Sequence, residues 1–167
     1  PGYPAAVATV NRLVGRCLSS DPAEAWDLAG QWTSFAAGVL GTLAVWCLGG
    51  MLFGWPTAWI GTLLFGLSRK WSTLGADVLS DALAVCLGLW ALVLAVVVVR
   101  RLGRGGGWTA LLAAACGLLA GAGYLVRPEI ALVAAVAVLA WIIQAVQGRA
   151  KWGPTLAAAA AAGLVAF

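Results

Sequence analysis

Residues 76–101 read Ala-Asp-Val-Leu-Ser-Asp-Ala-Leu-Ala-Val-Cys-Leu-Gly-Leu-Trp-Ala-Leu-Val-Leu-Ala-Val-Val-Val-Val-Arg-Arg. No side chain between Asp81 and Arg100 is charged. At a helical rise of 1.5 Å per residue, Ala76 to Val99 extends about 36 Å, and a bilayer's hydrocarbon core is about 30 Å thick. A helix apolar on every side has no face to offer water. In hydrocarbon it satisfies its own backbone groups and needs none. Arg100 and Arg101 close the run, where long basic side chains can reach the polar boundary. This segment predicts a membrane-spanning helix.

The same pattern extends in both directions. Upstream, Thr33 to Phe53 is a second apolar span, and Gly54-Trp55-Pro56 is a tight turn. Thr57 to Leu67 is a shorter span that must borrow length from the polar stretch Ser68 to Gly75. Downstream, the glycine-rich linker Gly103 to Gly107 leads to a span over Trp108 to Val126. Arg127-Pro128-Glu129 breaks it, and Ile130 to Val146 forms the next. A truncated sixth span follows Pro154. Gly50/Gly54 and Gly117/Gly121 have the spacing that lets membrane helices approach closely.

The opening differs. Pro1-Gly2-Tyr3-Pro4 reads as a rigid, non-helical start. Ala5 to Arg16 predicts a short interfacial helix, with Gly15 favouring a stop nearby. Asp21-Pro22-Ala23-Glu24 is a helix start, since Asp21 can cap free amides and Pro22 suits the first turn. Trp26 and Trp32 approach the membrane boundary that Trp prefers. The expected fold is therefore all-α: a polytopic transmembrane helix bundle of about five spans plus a truncated sixth, after short interfacial helices. We expect one domain over residues 1–167, with 1–31 interfacial and extracytoplasmic and 32–167 crossing the membrane. The start at Pro1 and the apolar run up to Phe167 lead us to expect an internal fragment.

Composition excludes several functions. Hydrophobic residues make up 63% of the chain and charged residues 10%, against about 25% charged in soluble domains. With no histidine, neither a Ser-His-Asp triad nor a Cys/His zinc site can form. Cys17, Cys47, Cys86 and Cys116 form no CxxC pair and read as small hydrophobes. The net charge of +4 comes from short boundary clusters, so nucleic acid is not an expected partner. The linker Gly103 to Gly107 lacks the lysine and hydroxyl of a phosphate-binding loop.

Counting spans sorts the charges. One face receives Arg100, Arg101, Arg104, Arg149 and Lys151, with no acid. The other receives Arg12, Arg16, Arg69, Lys70 and Arg127 with all six acids: Asp21, Glu24, Asp27, Asp77, Asp81 and Glu129. The basic counts tie, so number alone does not orient the chain. We place the purely basic face in the cytoplasm. A chemical site at the other surface explains the gathering of acids there. Transporters more often set polar groups near the midplane.

Asp77 and Asp81 stand four apart, on one helix face. They can position an acceptor or bind a metal. They can also act as a cap and a satisfied polar contact. Asp81 lies a turn into an apolar segment, where a carboxylate needs a cation or a donor beside it. Arg127 offers a planar fork suited to phosphate, although position alone favours a boundary anchor. Arg69 and Lys70 can meet a phosphate or pair with the acids. Tyr3 and Glu129 can line the same cleft, and for Tyr3 an interfacial aromatic is the simpler role.

Three segments, taken in order, resemble a known family. They are Pro1-Gly2-Tyr3-Pro4; Leu63-Leu64-Phe65-Gly66-Leu67-Ser68 leading to Gly75-Ala76-Asp77-Val78-Leu79-Ser80-Asp81-Ala82-Leu83; and Gly121-Ala122-Gly123-Tyr124-Leu125-Val126-Arg127-Pro128-Glu129. Together they resemble the C-type integral membrane glycosyltransferases, in particular the dolichyl-phosphate-mannose–protein mannosyltransferase-like group, often called family 39. The resemblance covers nearly the whole chain. It departs at Arg69, where the family often has proline.

The resemblance implies transfer of a sugar from a polyprenyl-phosphate donor to a lipid, glycan or protein acceptor at the extracytoplasmic face. It implies an acidic general base in a first outer loop, upstream of Pro1. Asp81 matches the family's second acidic position, and Arg127 the arginine of its Arg-Pro-Glu segment. The expected catalytic residues are Asp81 and Asp77. Arg127, Arg69 and Lys70 are expected to bind the donor phosphate, with Tyr3 and Glu129 in the cleft. No cofactor is expected, and the chemistry leaves room for a divalent cation. A multi-pass permease is the alternative, and a non-catalytic membrane scaffold a third possibility.

Overall fold

The computed structural model describes residues 2–19, 21–68, 80–102, 107–148 and 152–166. Every regular element among them is helical. In chain order they are α1 (Gly2–Leu18), α2 (Pro22–Leu52), α3 (Trp55–Gly66), α4 (Ser80–Arg101), α5 (Gly107–Val126), a 3-10 turn (Pro128–Ile130), α6 (Ala131–Val146) and α7 (Trp152–Ala166). Four segments are long and apolar enough to cross a membrane: Pro22–Leu52, Asp81–Arg101, Trp108–Val126 and Pro128–Val146. The protein is an all-helical integral membrane protein. The described part of α3 has 12 residues and that of α7 has 15, so neither reaches the length of these four.

One difference from the sequence expectation has a simple cause. The Pro-Gly-Tyr-Pro opening is helical from Gly2 onward. Pro4 sits in the first turn, where its missing N–H would have had no intrahelical acceptor. Residues 22–31, expected to be interfacial, run without a break into the first span. Together they form α2, 31 residues and about 46 Å at 1.5 Å per residue, longer than the hydrocarbon core. Asp21 caps it as predicted, its Oδ1 accepting from the Ala23 amide at 3.0 Å. Glu24 accepts from the Ser19 hydroxyl at 2.7 Å, which ties the preceding turn to the same helix end.

The chain divides into two compact units. The first holds residues 1–86 and 125–127. Here α2 packs against both α1 and α3. Its buried positions are small: Ala25, Ala29, Gly30, Thr33, Ser34, Ala37, Gly41 and Ala44. Small side chains let backbones approach, and dispersion between close helices drives association where lipid removes the hydrophobic term. A Cβ added at Gly49 would lie 2.9 Å from the Ala58 Cα, so α2 and α3 meet nearly backbone to backbone. Gly54, with φ of 94°, makes the turn between them. The Trp46 ring lies 4.8 Å from Trp55 and 5.9 Å from Trp59, sealing the hairpin.

The second unit holds residues 87–124 and 128–167. Its core is mostly alanine around the fully buried Trp141, whose indole N–H donates to the Ala95 carbonyl at 3.3 Å. The Cys116 thiol donates to the Ala91 carbonyl at 3.2 Å. A Cβ on Gly117 would come within 2.7 Å of the Ala162 Cα, so this member of the Gly117/Gly121 pair does seat a neighbouring helix. Ile130 fits against Gly88 and Gly123, leaving no room for a side chain at Gly123.

Candidate functional site

Asp81 stands in the first turn of α4, and Arg127 follows the last residue of α5. A carboxylate is favoured at a helix N-terminus and a cation at a C-terminus, so each charge suits its helix end. The two belong to the same unit, and the Arg127 guanidinium Nη2 pairs with the Asp81 Oδ1. This is the cation that a carboxylate in an apolar segment requires. Both side chains remain reachable: 29% of the Asp81 side chain and 48% of that of Arg127 are exposed. Arginine carries five N–H donors, so its pairing with Asp81 leaves others to meet a phosphate. The pair can therefore hold a carboxylate and an anion-binding fork side by side.

The pair lies at one end of its span. From Asp81 to Arg100 the helix rises about 29 Å, close to the thickness of a hydrocarbon core. The charges of α4 therefore fit the two membrane surfaces. The same end of α5 is reached by α1: a Cβ on Gly2 would meet the Leu125 carbonyl carbon at 3.2 Å and the Val126 Cγ2 at 3.0 Å. The residue after Gly2 is Tyr3, and its hydroxyl shares a hydrogen bond of 3.2 Å with the Ser34 hydroxyl of α2. Ser34 is fully buried. Tyr3 thus fastens the start of α1 to α2, next to the point where Gly2 touches α5.

Of the residues named from sequence, the structure brings Asp81 and Arg127 together. It gives Tyr3 a partner and sets Glu129 on the 3-10 turn with its side chain exposed. Asp77, Arg69 and Lys70 lie outside the described residues. Among the described residues no group of three His, Cys, Asp or Glu side chains converges on one point. Sequence reasoning does not find Ser34. Its cue is a hydroxyl inside an apolar span, a position most often satisfied by its own helix, as Thr33 is by the Ala29 carbonyl at 2.7 Å.

No curated protein and no solved structure matches this chain. A family model described as dolichyl-phosphate-mannose-protein mannosyltransferase matches residues 24–167. The match takes in nearly all of the α2 span, Asp81, Arg127 and everything after them. The chain belongs to the dolichyl-phosphate-mannose-protein mannosyltransferase family of membrane glycosyltransferases.

Proposed function

We propose that this protein transfers a glycosyl group from a polyprenyl-phosphate-linked sugar to an acceptor hydroxyl at the extracytoplasmic face of the cytoplasmic membrane. The observation that carries this reading is the Asp81–Arg127 pair, part-exposed at the end of a span. Transfer must break the bond between the anomeric carbon and the carrier phosphate oxygen, which leaves with the electron pair. The acceptor oxygen attacks that carbon from the opposite side and gives up its proton, inverting the centre. Arg127 offers donors to the leaving phosphate, where negative charge grows. Asp81, with Asp77, orients the acceptor or takes its proton. Arg69 and Lys70 add positive charge for the same phosphate. Tyr3 borders the cleft, and Glu129 follows Arg127 by two positions in the chain. The carrier's apolar tail enters from the bilayer, so a site at the membrane surface suits both ends of the donor.

A permease needs polar groups near mid-membrane. The Asp81–Arg127 pair sits at helix ends instead, and this favours transfer over transport. The test is a radiolabelled lipid-sugar transfer assay on the intact membrane protein with Asp81→Asn. The expected result is a loss of transfer of about 100-fold, within the range general acid–base groups contribute. Unchanged transfer at normal expression removes Asp81 from the mechanism.

A further inference from the structure

The first unit contains a second polar feature that the transfer chemistry does not use. A recess of about 430 Å³ opens between α1 and the start of α2, lined by Asn11, Arg12 and Gly15 on one side and Ser19, Pro22 and Trp26 on the other. Gly15 makes room for it. A Cβ there would collide with the Asn11 Oδ1, so the Asn11 amide lies over the glycine. The Trp26 ring is about half exposed, at 48%. Among the described residues, the side chains of Asn11, Arg12 and Trp26 have no hydrogen-bond or ion-pair partner. The Ser19 hydroxyl is already engaged by Glu24 and by the Asp21 amide. The recess therefore presents an aromatic surface with unclaimed amide and guanidinium groups beside it.

The ligand class follows from these groups and from the charge around them. Sugar rings have flat patches of C–H bonds that lie well on an indole, and rim hydroxyls that bond to amide and guanidinium groups. A phosphate or an anionic lipid headgroup would want a positive surround. Here the α1 sequence carries Arg12 and Arg16, while the α2 end carries Asp21, Glu24 and Asp27, all three acids exposed. Arg12 is the one charged residue of the lining, and the three acids stand outside it, so a single guanidinium beside an amide and an indole suits hydroxyls better than a multiply charged anion. Those exposed acids also mark this end of α2 as standing in water, since such groups are expensive in hydrocarbon.

We propose that this recess is a binding subsite for a neutral carbohydrate, its ring stacked on Trp26 and its hydroxyls held by Asn11 and Arg12. The proposal rests on the transferase reading in one respect: the sugar bound here is a distal unit of a glycan acceptor. The register of α1 agrees with a distal position. Asn11 lies about 14 Å along the helix from Gly2, the residue that touches the α5 end beside Arg127.

The experiment is saturation-transfer NMR and calorimetry on the intact protein in phosphatidylcholine nanodiscs. The probes are neutral linear trisaccharides of mannose, of glucose and of galactose. At least one is expected to bind. Trp26→Ala should weaken that binding about tenfold or more, as loss of a central aromatic does. Trp26→Phe, which keeps a stacking ring, should retain most of it. Gly15→Ala should weaken it by displacing Asn11, and Arg12→Ala covers the case in which a Trp26 variant does not fold. Binding of none of the three overturns the proposal, as does binding that Trp26→Ala leaves unchanged. Binding that appears only with phosphatidylglycerol in the nanodisc assigns the recess to lipid and also overturns it. Trp26-dependent saccharide binding without any sugar transfer would sink the transferase reading and leave the subsite standing. Transfer without saccharide binding would do the reverse.

Discussion

Arg127 and Asp81 are 46 positions apart in sequence and form an ion pair between a helix end and a helix start. Partly exposed pairs of this kind are worth about 0.2–1 kcal/mol, too little to explain the arrangement by stability alone. The pairing also leaves the guanidinium donors that the proposed phosphate contact needs beside a carboxylate.

If the pair serves chemistry rather than folding, breaking it should separate the two. Asp81→Ala should lower stability by no more than about 1 kcal/mol while abolishing transfer. Thermal melting in detergent, read beside the lipid-sugar assay, checks this. A collapse of the melting temperature would make Asp81 a structural residue.

The Tyr3–Ser34 bond fastens α1 to α2. Tyr3→Phe and Ser34→Ala should each cost about 0.5–1.5 kcal/mol, the usual net value of one hydrogen bond. The double variant should lose little more than the worse single one, because both remove the same contact. Additive losses in a double-mutant cycle would show that the two hydroxyls do not act together.

Two glycines in apolar helices should respond in opposite ways. Gly117→Ala drives a methyl into the backbone at Ala162 and should destabilise by about 1–3 kcal/mol. At Gly61 an added Cβ meets nothing within 4 Å, so Gly61→Ala should be neutral or stabilise by up to about 1 kcal/mol through helix propensity. Melting temperatures of the two variants decide the matter.

Trp141→Phe removes the indole N–H from the Ala95 carbonyl and shrinks a fully buried ring. A loss of about 1–3 kcal/mol is expected, from one lost hydrogen bond and a small cavity. Hydrogen exchange at the α4 amides around Ala95 should accelerate in the variant.

Four of the expected spans are legible in the sequence because apolar length is a strong signal in a bilayer. The break at Arg127-Pro128-Glu129 also falls where proline and charge predict it, between α5 and α6. The opening is harder. Proline and glycine usually interrupt helices, but in a first turn Pro4 costs no hydrogen bond, so composition and position disagree and position wins. Asp81 and Arg127 can each be named from sequence, yet their contact cannot, because no local periodicity links residues 46 apart. Ser34 is invisible for a related reason: its partner is on another helix, and a helical serine looks the same whether it bonds its own backbone or a distant tyrosine. The Asn11–Trp26 recess requires α1 and α2 to fold back on each other before its lining comes together.

The proposed mechanism has Arg127 hold the carrier phosphate, and the most direct measurement is the donor KM of Arg127→Ala compared with its melting temperature. A KM raised about tenfold or more is expected, the scale of one lost charge-assisted contact, with a melting temperature within a few degrees of the parent. A collapsed melting temperature with an unchanged KM would make Arg127 a boundary anchor and contradict its role in donor binding.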